Sequence, residues 1–192
     1  MDQKRWIIFG LSVIFLLVLV FIFFRGGGQQ KIKPAAEISP LENAAEPDQP
    51  RASKVVTLFF LSEEDNLFHP EQRQILTSPS VVQEAEQVVA ELIKGSDKGY
   101  LSSLPPETKL RQLFITKEGV AYVDFSRELY EKLPSGSSAE LATVYSIVNS
   151  LTYNFNPIKK VFILVEGGEK ETLGGHISLR QAFAPLYSLN AE

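Results

Sequence analysis

Two histidines, His69 and His176, lie far apart in the chain, each beside a turn signal, Pro70 and Gly175. A metal site needs three or four ligands. With no cysteine in the chain and no histidine cluster, no such set is offered, and no metal is expected. Asp124, Glu140 and Glu166, taken with Ser146 and His176, are the residues from which a general acid and base or a Ser-His-acid triad could be drawn. Their positions argue against it: Asp124 ends a strand pattern, Glu140 has the spacing of a helix cap, and Glu166 enters a glycine-rich loop. Nothing places a nucleophile beside a base that a third group orients, so the chain reads as no enzyme. Gly167, Gly168, Gly174 and Gly175 lack phosphate-loop spacing and open no helix, so no nucleotide or other cofactor is expected.

Ser146, Asn149 and Ser150 pose a different question. They sit inside a helical stretch, although such side chains favour caps and turns over helix interiors. Either they bond locally or to the loop around Leu104 and Pro105, or they form a polar contact surface for a partner. As a candidate partner surface they compare well with the other helix, whose polar side carries Gln83, Glu84, Glu86, Gln87 and Glu91, because small polar groups cost less to desolvate than charges. A binder of cell-wall glycan or peptide would instead want a groove lined by aromatics, for which Tyr100, Tyr122, Tyr130 and Tyr187 are the candidates. An envelope hydrolase would need Asp124, Glu166 or His176 within mutual hydrogen-bond reach.

The elements that must position these residues are legible in the apolar pattern. The run VVTLFFL after Lys54 is apolar on both faces and predicts a central strand. A second extended piece, with Leu67, Phe68, Gln74, Ile75 and Leu76, surrounds Pro70. Val81, Ala85, Val88 and Leu92 form a helical stripe over Ser80–Lys94, with Ser80 and Gln83 at capping-box spacing and Gly95 as the stop. The runs from Leu110 and Val120 flank Lys117-Glu118-Gly119 as a hairpin, and Ser126 to Leu133 suggests a short helical turn. Ser137 with Glu140 repeats the capping-box spacing ahead of a second stripe, Leu141, Val144, Tyr145, Val148 and Leu151. Lys160 to Val165 is a buried strand, and a last extended piece is expected near His176 to Phe183. The order predicts an α+β fold: a mixed β-sheet with two main helices packed on one face.

Outside that domain, Trp6 to Phe24 carries no charge and only Gly10 and Ser12 among large apolar side chains. At about 1.5 Å rise per residue it spans about 28 Å, the thickness of a bilayer core. Its length, and the Phe-Phe-Arg-Gly-Gly-Gly that follows where a small-x-small cleavage site would stand, favour an uncleaved transmembrane helix over a signal peptide. Residues 1–5 form a short tail, and 25–53, with three consecutive glycines and four prolines, read as a flexible linker with a reach of about 30 Å. The folded domain is then 54–192. Lys4 and Arg5 face Arg25, Lys31 and Lys33 across the span, so charge counting leaves the orientation open. The chain holds 19 basic and 23 acidic side chains, a formal net charge of -4, which makes nucleic acid a poor partner. The absence of cysteine excludes disulfides and lipid attachment through that residue.

Taken in order, VTLFFL, the helix end ELIKG at Glu91–Gly95, the loop LSSLPPETKL at Leu101–Leu110, the hairpin with Val120, Val123, Asp124 and Phe125, GSSAEL from Gly136, SIVNSLT from Ser146 and VFILVEG from Val161 resemble the GerMN domain. This module of bacterial envelope proteins is also called the sporulation and spore germination domain. The likeness covers about residues 54 to 185. Ser150 stands where the family more often has threonine, the domain is present once where some relatives carry two, and some relatives are lipoproteins whereas this chain has no cysteine. The resemblance implies an extracytoplasmic module, with the N-terminus in the cytoplasm. It would be held by a single span in the cytoplasmic membrane and would act through an envelope protein partner or self-association, since relatives include ring-building modules.

Overall fold

The computed structural model describes residues 52–191. The expected tail, transmembrane helix at Trp6 to Phe24 and nearly all of the expected linker lie outside the described residues. Among the described residues no helix is long and apolar enough to cross a membrane.

The fold is α+β. In chain order it comprises β1 (Ser53–Leu61), β2 (Phe68–Leu76), helix α1 (Val81–Lys94), β3 (Leu110–Ile115), β4 (Val120–Phe125), a one-turn helix α2 (Glu128–Glu131), α3 (Ser137–Asn154), β5 (Lys160–Val165) and a 3-10 turn at Tyr187–Leu189. The expected single mixed sheet is in fact two sheets. β1 and β2 form an antiparallel pair, while β3, β4 and β5 form a second sheet in which β3–β4 is antiparallel and β4–β5 parallel. The physical reason is visible at the outer edge of β1. Its N–H and C=O groups at Thr57, Phe59 and Leu61 are taken by Asn154, Ser150 and Leu101 rather than by another strand. β1 is therefore not a central strand, although its side chains are buried.

One main core joins the sheets and both long helices. Leu58 and Phe60 from β1, Val88 and Leu92 from α1, Val123 from β4, Ile147 and Leu151 from α3 and Ile163 from β5 meet there with little or no exposure. Each such side chain contributes about 1.5–3 kcal/mol of burial. α1 lies against β2 and β3, and α3 against β1 and β5. A smaller cluster, Phe59, Leu61, Phe68 and Ala142, lies beneath Leu101, Leu141 and Leu189.

Local chemistry sets the element ends. The Ser80 side chain accepts from Gln83 N–H at the start of α1, and Gly95 ends that helix at φ 88°. The second capping box does not form. Gly136 precedes α3, and no side chain caps it. Glu140 is directed elsewhere, to a backbone loop described below. Pro70 falls inside β2 opposite Phe59, at an edge where the missing N–H breaks no ladder bond. The β3–β4 turn needs Gly119, whose φ is 85° and where a Cβ would stand 2.8 Å from the Pro157 carbonyl oxygen. The expected last strand reduces to a bridge between Phe183 and Val161.

Candidate functional site

The residues expected to form a docking surface do not reach the surface. Ser146, Asn149 and Ser150 are each 0% exposed. Ser150 Oγ accepts the Phe59 N–H at 3.0 Å. One turn on, Asn154 Oδ1 accepts the Thr57 N–H at 2.9 Å while its Nδ2 donates to the Thr57 carbonyl at 2.6 Å. Four-residue spacing puts these two side chains on one helical stripe, and that stripe closes the edge of β1 as a neighbouring strand would. Ser146 Oγ lies 2.5 Å from Ser103 Oγ, and Thr143 Oγ1 donates to the Ser103 carbonyl at 2.5 Å, so this end of the row holds the loop before Leu104. Asn149 holds the C-terminal segment: its Oδ1 accepts the Leu186 N–H at 2.9 Å, and its Nδ2 donates to Leu186 O at 3.3 Å and to Asn190 Oδ1 at 3.0 Å. The row is buried because it binds backbone that no strand pairs. Asn154, which spacing from Ser150 could have flagged, completes it.

The carboxylates weighed for catalysis are likewise engaged with backbone. Asp124 Oδ1 accepts the Gly167 N–H at 2.8 Å, and its Oδ2 lies 3.2 Å from the Arg111 guanidinium. Glu166, held at φ 54°, accepts the Arg127 N–H at 3.0 Å. Glu140, fully buried in the first turn of α3, accepts the N–H groups of His176 and Ile177, each at 2.9 Å, and pairs with His176 Nδ1 at 2.8 Å. Burial pushes the Glu140 carboxyl up, but the bonds from Ile177 and His176 and from the backbone of Gly174 outweigh it and hold its pKa below the ordinary glutamate value. Gly174 is required here, since a Cβ would fall 2.8 Å from Glu140 Oε1. Glu71, unremarked in the sequence, plays the same part for the loop after α1, accepting from Ser96 Oγ and the Asp97 N–H and pairing with Arg73. The structure brings His176 to Glu140 but puts Ser146 against Ser103, so the imagined triad is not assembled. Among the described residues no group of three or more His, Asp or Glu is placed to hold a metal ion.

The aromatics are differently disposed. Tyr122 lies between Phe114 and Phe162, with ring centroids 4.7 Å and 5.2 Å away and planes within 4° and 22°. The three rings follow the register across β3, β4 and β5, so both faces of Tyr122 are covered and a sugar cannot stack there. Tyr100 stacks on His69 at 4.9 Å, Tyr130 lies beneath the Lys170 ammonium, and Tyr187 meets Tyr153 edge to face. A polar groove of about 540 Å³ is walled by Tyr153, Gln72, Arg73, Asp97 and Lys98, and by none of these four tyrosines. Phe114, 43% exposed, went unnoticed in the sequence; its signal was an aromatic in register with Tyr122 and Phe162 on one face of the sheet.

The family of sporulation and spore germination domains, Germane, matches residues 57–171. The chain belongs to that family. This Germane domain resembles the crystal structure of a candidate lipoprotein from Clostridium perfringens at 26% identity and TM-score 0.50, over 69% of this chain and 88% of the other. It also resembles the tandem GerMN domains of the sporulation protein GerM from Bacillus subtilis at 24% identity and TM-score 0.52. There the match covers 68% of this chain but 46% of the tandem protein, so the present chain spans about half its length. No curated protein matches the chain by sequence. The α+β expectation and the family reading thus hold, and the Germane match starts within β1 and ends in the loop that Glu140 secures.

Proposed function

We propose that this Germane domain is a non-catalytic protein-interaction module of the bacterial envelope. It is held outside the cytoplasmic membrane by Trp6 to Phe24 and the tether 25–53, and it works by docking to an envelope protein or to another copy of itself. The observation that carries the reading is the contrast between its polar and apolar groups. Asp124, Glu140 and Glu166 are committed to backbone N–H groups, while Val55, Leu76, Phe114, Tyr130, Tyr153 and Tyr187 stand exposed. Buried aromatics are the usual anchors of protein interfaces. The likeness to a candidate lipoprotein supports placement at a membrane. Glycan or peptide binding is a second reading, favoured by the Tyr153 groove.

Two measurements test the proposal. His176→Ala removes a half-exposed ring but leaves both backbone bonds to Glu140, so complementation of a deletion strain is expected to stay near wild type. A hydrolase using His176 would lose function with its fold intact, and that result would sink the reading. For topology, an alkaline phosphatase fusion at Glu192 is expected to be active and a green fluorescent fusion exported through the general secretory route dark. The reverse pair would place the domain in the cytoplasm.

A further inference from the structure

A sheet edge presents unpaired N–H and C=O groups and invites pairing with another chain, so folds blunt their edges. Three of the four edges here are blunted. The outer edge of β1 is closed by Ser150, Asn154 and Leu101. β2 carries Pro70 in mid-strand, Gln87 bonds both backbone groups of Leu76, and Ala191 N–H donates to Phe68 O. The outer edge of β5 exchanges two bonds with Phe183. Among the described residues the edge of β3 has no such cover. The bond from Thr116 N–H to Val120 O at 2.9 Å sets the alternation of the β3–β4 ladder, so Phe114 exchanges bonds with Tyr122 while Leu113 and Ile115 turn theirs outward. Nothing among the described residues bonds the backbone of Leu113 or Ile115. A bulge at Arg111 interrupts the regular alternation of the ladder on one side, which leaves a short regular run, Gln112 to Thr116.

On the solvent face of this run, the aromatic ladder Phe162–Tyr122–Phe114 stops with one ring face of Phe114 open. An incoming strand would therefore satisfy the edge best by offering one flat aromatic flanked by two large aliphatic residues with free backbone groups. Leu113-Phe114-Ile115 is itself such a strand.

We propose that β3 pairs antiparallel with β3 of a second copy about a two-fold axis through Phe114, joining two three-stranded sheets into one of six strands. This rests on the interaction reading above and names its partner. In that register Leu113 exchanges bonds with Ile115 of the second copy, and the reverse. The two Phe114 side chains meet at a non-hydrogen-bonded position, where side chains come closest, so six rings run in one stack. Gln112 faces Thr116 of the second copy at the next such position. At the rim Arg111 approaches Lys117 of the second copy, a like-charge contact that Asp124 offsets at 3.2 Å from Arg111 and that salt weakens.

The absence of cysteine makes the register testable in the full-length chain. Gln112→Cys and Thr116→Cys chains, expressed together and mildly oxidised in their membranes, are expected to form a mixed disulfide dimer at least tenfold above either chain alone, since opposed non-hydrogen-bonded positions suit disulfide geometry. Added Phe114→Glu, which removes the ring stacked on Tyr122, is expected to cut that yield at least tenfold while the domain still unfolds in one cooperative transition. Equal crosslinking in single and mixed samples, indifference to Phe114→Glu, or capture of a foreign protein by Gln112→Cys in place of the mixed dimer would each overturn the pairing. Failure of the mixed dimer with function still insensitive to His176→Ala would remove the second copy as partner and leave the interaction reading in place.

Discussion

Asn149→Arg is expected to unfold the domain or strip its C-terminal segment, instead of leaving a folded protein that cannot dock. The Asn149 side chain is fully buried and makes three bonds, two to the backbone of Leu186 and one to Asn190. A guanidinium in its place must either stay buried without a counter-charge or push the Leu186–Asn190 segment away. The first costs several kcal/mol. The second exposes the cluster of Phe59, Leu61 and Phe68 on which Leu189 packs. Asn149→Ala separates the terms, because it removes the bonds without adding charge and leaves the Leu186 N–H and C=O unsatisfied, at a cost of about 2–4 kcal/mol. Against a typical total of about 5–15 kcal/mol, Asn149→Arg is expected to lose cooperative unfolding, with fast proteolysis after Leu186, and Asn149→Ala to lower the midpoint of the full-length chain while keeping one transition. Glu84→Lys would break the part-buried pair with Lys54 at a smaller cost. An Asn149→Arg chain that melts like wild type would refute the buried role and restore the helix surface as a docking face.

The second large effect belongs to Glu140 and to pH. Its folded pKa lies below the ordinary glutamate value, as does that of Glu71, where burial again opposes and the bonds from Ser96, Asp97 and Arg73 prevail. As pH falls through the ordinary range, the unfolded chain takes up protons that the folded chain still refuses, so stability falls; it is fully present above the unfolded pKa. The thermal midpoint is therefore expected to hold from about pH 7 to pH 5 and to fall steeply from about pH 5 towards pH 3. Glu140→Gln cannot accept with both oxygens and turns an amide N–H₂ towards the N–H of His176 or Ile177. It is expected to cost about 2–4 kcal/mol at pH 7 and to make the acid limb shallower, because one of the carboxylates whose folded pKa is lowered is gone. A Glu140→Gln chain with the wild-type acid slope would show that the linkage lies elsewhere.

Much of the fold was legible because its signals are local. The stripe Val81, Ala85, Val88, Leu92 and the second from Leu141 to Leu151 bury one side of each helix, and both helices form where the periodicity puts them. Gly95 and Gly119 take the positive φ that turns need and that other residues resist. The Germane likeness was legible for the same reason, being an ordered series of such local patterns. The expected box at Ser137 shows the limit: its spacing is right, yet Glu140 finds two N–H groups of a loop 36 and 37 residues away and leaves the helix start to Gly136.

By itself the sequence determined the two long helices, the main strands, the α+β class and the family, because each follows from side-chain type and short spacing. Only the tertiary structure decided that the strands form two sheets and that Ser146, Asn149 and Ser150 face inward. A hydroxyl or amide in a helix has the same bonding capacity whether it meets water, a partner or a strand. What Ser150 meets is Phe59 N–H, 91 residues away in the chain, and a contact of that separation leaves no mark in local spacing. The same holds for the open edge of β3, whose unpaired groups are identical in sequence to those of any paired strand and are distinguished by what the fold brings, or fails to bring, alongside them.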